Sequence, residues 1–317
     1  MLLYKRSVAL QSWTMRPSQL YPLLSSQDLP TLDGAFAACV TVCREHTPPT
    51  HLCRQCFPEP FERKLKHAAK AIVTGNDPDA EDYAQIYFEH PNCSGGVETH
   101  KLFAPYAIRD LLTGCAPDGS KGYSYVEVLE SMMQAGFWFW PDRLKAPIHA
   151  IAARLFWDWF RGGHYAWVKP DYGADDLLGP GDDILTLCSL GLIDPYDLVR
   201  TLVTSKTPQA DDALTCPLNF LAQACTYVAL DTYTQISTYQ TATEVIAAIL
   251  AKREALAFKD YVTPELVGNV FFKYAQTHPK MAQEISEFGR YYEVRMANTF
   301  ERAANPVIAE WPEVPDV

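Results

Sequence analysis

The chain has 317 residues, 48% of them apolar and 21% charged, and its 27 Lys and Arg against 38 Asp and Glu give a formal net charge of -11. That balance builds a core and excludes a disordered chain, a collagen-like chain or a disulfide miniprotein. The acidity also argues against a protein whose main task is coating DNA or an anionic membrane surface.

At the N-terminus, Lys5 and Arg6 follow the short apolar stretch instead of preceding it. This is the reverse of a secretory leader. Met15 is a second candidate start, which would make residues 1–14 an upstream extension. No apolar run reaches the roughly 18 residues that a membrane-spanning helix needs. Nine cysteines, an odd number, read as reduced thiols in a bacterial-type cytoplasm.

Helical spacing of apolar residues recurs along the chain. It predicts helices over 31–44, with Leu32, Phe36, Val40 and Cys43 on one face, and over 60–73, a basic amphipathic segment stopped by Gly75. A third runs over 97–112, stopped by Gly114, and an aromatic pair over 123–139 and 142–161 is split at Pro141. Pro105 and Pro147 fall inside these patterns and predict kinks or late starts. Residues 163–181 are rich in Gly, Pro and Asp and read as a long connection. Helical patterns resume over 183–190, 195–203, 216–231, 243–258, 264–278 and 279–304, and the β-like stretch 233–241 reads as a loop.

The expected fold is therefore all-α, an irregular HEAT-like helical-repeat stack of about ten to twelve helices. Its expected units are an extension (1–30), an N-terminal helical domain (31–162), a connection (163–182), a C-terminal helical domain (183–304) and a tail (305–317).

The densest chemistry is CVTVCREHTPPTHLCRQC, residues 39–56. Zinc takes four thiolate or imidazole ligands in a tetrahedron, and a pair spaced x2 along a turn supplies two corners. Cys43-x2-His46 and Cys53-x2-Cys56 are two such pairs, so Cys43, His46, Cys53 and Cys56 form the candidate structural zinc site. The loop between the pairs is shorter than in most finger-type sites, and Cys93, near His90, is a substitute ligand. The competing reading makes Cys39 and Cys43 small buried residues of one helix face. Redox use of Cys53-x2-Cys56 lacks the βαβ surroundings such a motif has.

An early C-x2-C, then KLFAPYAIRDLLTG (101–114), then FWFWPDRLKAPIHAIAARLFWDWF (137–160) form an ordered series. This order resembles a group of uncharacterised bacterial all-helical proteins with a C-x2-C, a helix like YFLPR-LE and a helix like W-x2-WP-x-E. The resemblance spans residues 50–160 and departs at Asp110 and at 142–144. It implies a bacterial, helical, cytoplasmic protein and carries over no catalytic residue.

Motifs for a phosphate loop, a dinucleotide fold, a H-E-x-x-H zinc pair and a nucleophile elbow are absent from the sequence. Asp77, Asp79 and Glu81 alternate as in a calcium loop, but Asp82 and Phe88 stand where Gly and Glu belong. Glu62-x-Lys64 is a fragment of a nuclease motif on a basic helix without flanking strands. His149 lies on an apolar face beside Trp157 and Trp159 and reads as a core residue. Trp138, Trp140, Trp157 and Trp159 cannot all turn inward from regular helices, so some aromatic surface is expected to be exposed.

Charge is local. Residues 1–70 hold nine Lys or Arg against five acids, whereas residues 171–212 hold nine Asp, no Glu, and only Arg200 and Lys206. Asp175, Asp176, Asp182, Asp183, Asp211 and Asp212 come as adjacent pairs and form the candidate partner-binding surface. A solvated face with helix N-caps is the plain reading; a surface complementary to a basic protein is the functional one. The expected function is a non-enzymatic binding scaffold of immunity or antitoxin type, with no membrane or nucleic-acid partner. The alternative is an enzyme whose site gathers His149, His100 and the paired aspartates.

Overall fold

The computed structural model describes residues 20–47, 51–89, 91–112, 131–161, 184, 185, 187, 188, 193–207, 211, 237–294, 296 and 297. Among these residues the regular structure is helical, and the only β pairing is an isolated parallel bridge between Tyr21 and Ile193. The all-α expectation holds.

Helix α1 (Leu32–Cys43) starts where Thr31 accepts a hydrogen bond from the Gly34 N–H at 3.1 Å, with Asp33 in the first turn. That satisfies an amide the helix itself leaves open, and an acid there suits the dipole. Helix α2 (Glu59–Val73) carries Pro60 in its first turn, where the missing N–H costs nothing. It ends as the stop signal predicts: Gly75 takes φ 83°, its N–H reaches the Ile72 carbonyl, and the Asn76 N–H reaches that of Ala71. Those two bonds close a Schellman cap, which a side chain at Gly75 would strain.

Helix α3 (Ala80–Tyr87) is absent from the periodicity reading. Asp79 caps it by accepting from the Glu81 N–H at 3.0 Å. Of the acids that mimic a calcium loop, Asp79 is thus a cap, Glu81 lies in the first turn, and Asp77 pairs with Arg109 of the next helix at 2.6 Å. Helix α4 (Val97–Leu112) has the predicted bounds and continues through Pro105.

The expected helix over 123–139 ends differently. Residues 131–134 are helical, Gly136 turns left-handed at φ 67°, and Phe137–Phe139 form a single 3-10 turn. This change of winding lets Phe137, Trp138 and Trp140 all bury, and the Trp140 Nε1–H donates to the Ala135 carbonyl at 2.8 Å. Helix α5 (Asp142–Phe160) follows Pro141 and runs through Pro147. It is the core helix, burying Leu144, Ile148, Ile151, Leu155, Phe156 and Trp159 among others. Trp157 is half-buried, its Nε1–H donating to the Leu24 carbonyl at 2.7 Å. None of the four tryptophans is therefore exposed, contrary to the expected aromatic surface.

Helix α6 (Pro195–Thr204) is capped by Asp194, which also holds Arg253 of helix α7 (Ser237–Tyr261). Helix α7 reaches back to Ser237, so residues 237–241, expected in a loop, are helical; their β propensity yields to context. Helices α8 (Pro264–Tyr274) and α9 (Pro279–Arg290) pack together, the first capped by Thr263 on the Leu266 N–H.

Helix α1 packs on α4 and α5, α3 on α2 and α4, and α6 on α7. One buried apolar cluster takes in Leu32, Phe103, Phe156, Ile184, Leu198, Ile246 and Phe288, so core residues before and after the connection are continuous. Residues 20–30 lie on this body: Tyr21 reaches Asp142, its carbonyl receives the Asp194 N–H at 2.8 Å, and the Leu23 N–H reaches Asp197. The connection at 163–182 lies outside the described residues.

Candidate metal centre

The turn after α1 and the turn before α4 meet. Residues 53–56 form a tight turn in which the Phe57 N–H reaches the Cys53 carbonyl at 2.8 Å. Leu52 and Phe57, on either side, are buried, so the turn is pinned into the core at both ends. Glu62 of α2 reaches back to it. That carboxylate is buried, accepts the Leu52 N–H at 3.4 Å and faces the Arg54 guanidinium at 3.4 Å.

The second turn carries Cys93 and is shaped by Gly95 (φ 90°) and Gly96 (φ 88°), with the Gly96 N–H on the Pro91 carbonyl at 2.7 Å. Two left-handed residues in succession are cheap only for glycine. The turns are joined by a backbone bond, the Cys53 N–H donating to the Cys93 carbonyl at 3.0 Å.

This junction brings the sulfurs of Cys53, Cys56 and Cys93 within 4.8 Å of one another, with Cys56–Cys93 at 3.4 Å. Zn–S bonds of about 2.3 Å at tetrahedral angles put ligand sulfurs about 3.8 Å apart, so the trio fits three corners of a zinc site. The backbone N–H groups of Cys56 and Gln55 point at Cys53 and hold its thiol below the usual value. Burial, and then the neighbouring Cys56, push Cys93 up to about 12. Three thiols this close cannot all ionise unaided, and a divalent cation removes that obstacle. Sulfur donors select zinc over the hard cations.

The structure redistributes the quartet expected from sequence. Cys53 and Cys56 come together, and Cys93 joins them. Cys43 instead lies fully buried against Cys39, sulfur to sulfur at 4.0 Å, in the core face of α1. The contact with Cys43, and then burial, keep the Cys39 thiol well above its usual value, as befits a core residue. His46 caps the end of α1 through the Cys43 carbonyl, and its Nδ1 meets Glu98 of α4 at 2.5 Å. Cys43 thus packs in the core face of α1 and the His46 Nδ1 meets Glu98 of α4, and neither belongs to the three-sulfur cluster. The substitute ligand, Cys93, was visible in the sequence only as a cysteine in a distant loop. His90 lies outside the described residues, and His51 is largely exposed, 3.8 Å from Glu62.

The other candidate residues are dispersed. Asp211 is buried and pairs with Lys273 of α8 at 2.6 Å. Asp175, Asp176, Asp182, Asp183 and Asp212 lie outside the described residues. His149 is buried against the Tyr21 ring at 4.5 Å, and His100 against Tyr87 at 5.0 Å. Both are core imidazoles. No helix among the described residues is long and apolar enough to cross a membrane. No family model, curated protein or solved structure matches the chain.

Proposed function

We propose that this chain is a non-catalytic, zinc-bearing helical binding protein. The observation that carries the reading is the convergence of the Cys53, Cys56 and Cys93 sulfurs from two turns far apart in sequence. A ligand set dominated by thiolates suits a structural site, because catalytic zinc is held mostly by His and carboxylate ligands. The metal staples the turn before α2 to the turn before α4. The cytoplasm, where thiols stay reduced, is the compartment that suits it.

The binding half of the reading rests on sequence. Five aspartates, Asp175, Asp176, Asp182, Asp183 and Asp212, fall in a segment with almost no compensating base. A basic protein, as in an immunity or antitoxin pair, is the complementary partner, and the HEAT-like pairing of helices is the scaffold that presents the segment. Asp211 is not part of that surface, because Lys273 neutralises it.

The zinc half is tested by thermal melting of the full chain with and without a strong zinc chelator. Structural zinc in finger peptides binds with roughly 10–16 kcal/mol, comparable to the whole stability of a domain. A marked fall in Tm, restored by added zinc, supports the reading, and an unchanged Tm rejects it. The binding half is tested by capture from the native host at low and high salt. A basic protein recovered stoichiometrically and lost at high salt supports it, since screening shortens to about 3 Å at 1 M.

A further inference from the structure

The metal reading leaves one geometric detail unused. Cys56 and Cys93 are closer to each other, at 3.4 Å, than the roughly 3.8 Å edge of a zinc–thiolate tetrahedron. A disulfide needs about 2.05 Å between sulfurs. The remaining gap, about 1.4 Å, is within the swing of two side chains about χ1. Cys56 is exposed, and Cys93 is half-buried. An oxidant arriving from solvent therefore meets Cys56 first, with a second thiol already in reach.

Two features assign the pairing. Cys56 and Cys93 are in sulfur-to-sulfur contact at 3.4 Å, whereas the Cys53 thiol also receives the backbone amides of Cys56 and Gln55. The Cys53 N–H to Cys93 carbonyl bond joins the two turns through main chain alone. That bond uses no sulfur atom, so a change at the sulfurs leaves its donor and acceptor in place.

We propose that Cys56 and Cys93 form a reversible disulfide when a hydroperoxide reaches the centre, and that the metal leaves as the bond forms. This rests on the zinc reading above. The Cys56 thiolate attacks the near peroxide oxygen, the O–O bond breaks, and hydroxide (or alkoxide) leaves with the electron pair, giving a sulfenic acid. The Cys93 thiolate then attacks the Cys56 sulfur, the S–O bond breaks, and a second hydroxide leaves. Two thiolates are oxidised by two electrons, and the peroxide accepts them; the released bases take protons from solvent. Zinc loses two of its sulfurs and departs as the hydrated ion. A small dithiol reverses the step by thiol–disulfide exchange and is itself oxidised.

The site is thus a modification site for hydroperoxides as well as a staple, and oxidation exchanges one cross-link for another. Both tie residue 56 to residue 93, and only the metal form includes Cys53.

The test treats the zinc-loaded full chain with hydrogen peroxide and reads zinc release, free thiols and non-reducing peptide maps. The expected result is a Cys56–Cys93 cross-linked peptide, lighter by two hydrogens, with one zinc ion freed per cross-link and full reversal by dithiothreitol. Cys56→Ser and Cys93→Ser each abolish the cross-link, and Cys53→Ser keeps it. A Cys53–Cys56 cross-link, or sulfinic acid at Cys56 without any cross-link, overturns the proposal. The same oxidation of chelator-treated protein separates the two readings. If the chain takes up no zinc, the metal reading fails, while the Cys56–Cys93 map still decides the disulfide.

Discussion

The backbone N–H of Cys53 donates to the carbonyl of Cys93 across 3.0 Å, joining two turns that are forty residues apart in the chain. Side-chain chemistry follows from this main-chain bond. It sets the sulfur of Cys93 beside those of Cys53 and Cys56.

Glu62 is the residue that supports this junction from α2. It is buried and accepts the Leu52 N–H next to the cysteine turn. Glu62→Ala leaves that amide unsatisfied, a loss of about 1–3 kcal/mol. Groups that orient metal ligands typically change metal affinity about 10- to 100-fold. The expected outcome is a lower denaturant midpoint together with weaker zinc in a chelator competition.

A fourth ligand is expected from spacing. His90 stands as far before Cys93 in sequence as Cys53 stands before Cys56, while His51 has a largely exposed side chain near Glu62. His90→Ala is expected to weaken zinc binding in the same competition, and His51→Ala to leave it within error. The reverse order would assign the fourth corner to the cysteine turn itself.

Acid stability should report the α1–α4 contact. Burial works to raise the Glu98 carboxyl, but Lys101 and His46 outweigh it and hold it below its ordinary value of 4.5. A depressed carboxylate contributes stability above its unfolded value, and that contribution is lost as pH falls through the folded one. Denaturant midpoints measured from neutral pH down to about pH 3 should therefore fall less steeply for Glu98→Gln than for the parent. An unchanged acid limb would show that the ion pair is solvated in solution.

The core prediction concerns α5. Phe156 is fully buried and stacks on Phe160 at 5.5 Å. Phe156→Ala removes a large buried side chain and should cost about 3–5 kcal/mol in chemical denaturation. A cost below about 1 kcal/mol would mean the site collapses around the gap.

Much of the fold was legible because its signals are local. Helix α4 has the bounds its apolar spacing predicts, Pro141 separates the aromatic segments, and Gly75 ends α2 in the left-handed conformation. Helix α3 is hard to read from periodicity because it has only eight residues; its signals are the Asp79 cap and Tyr83, Ile86 and Tyr87 at helical spacing. The tryptophans all found cover because Gly136 and a 3-10 turn change the winding between them.

The three-cysteine cluster was half legible. Cys53-x2-Cys56 is a sequence-local pair, so its proximity can be read directly. Its third member depends on which distant loop the fold brings near, and no local spacing ties Cys93 to the Cys53-x2-Cys56 pair. Cys43 was closer in sequence, but it sits on the apolar stripe of α1, and that stripe takes it into the core.

The central claim is that the metal is held by Cys93 and not by Cys43. The most direct measurement is the zinc content of the purified full chain, its Cys93→Ser variant and its Cys43→Ala variant. The account predicts zinc near one per chain in the parent and in Cys43→Ala, which loses stability only through its core, and loss of zinc in Cys93→Ser. Zinc retained by Cys93→Ser and lost from Cys43→Ala would contradict it.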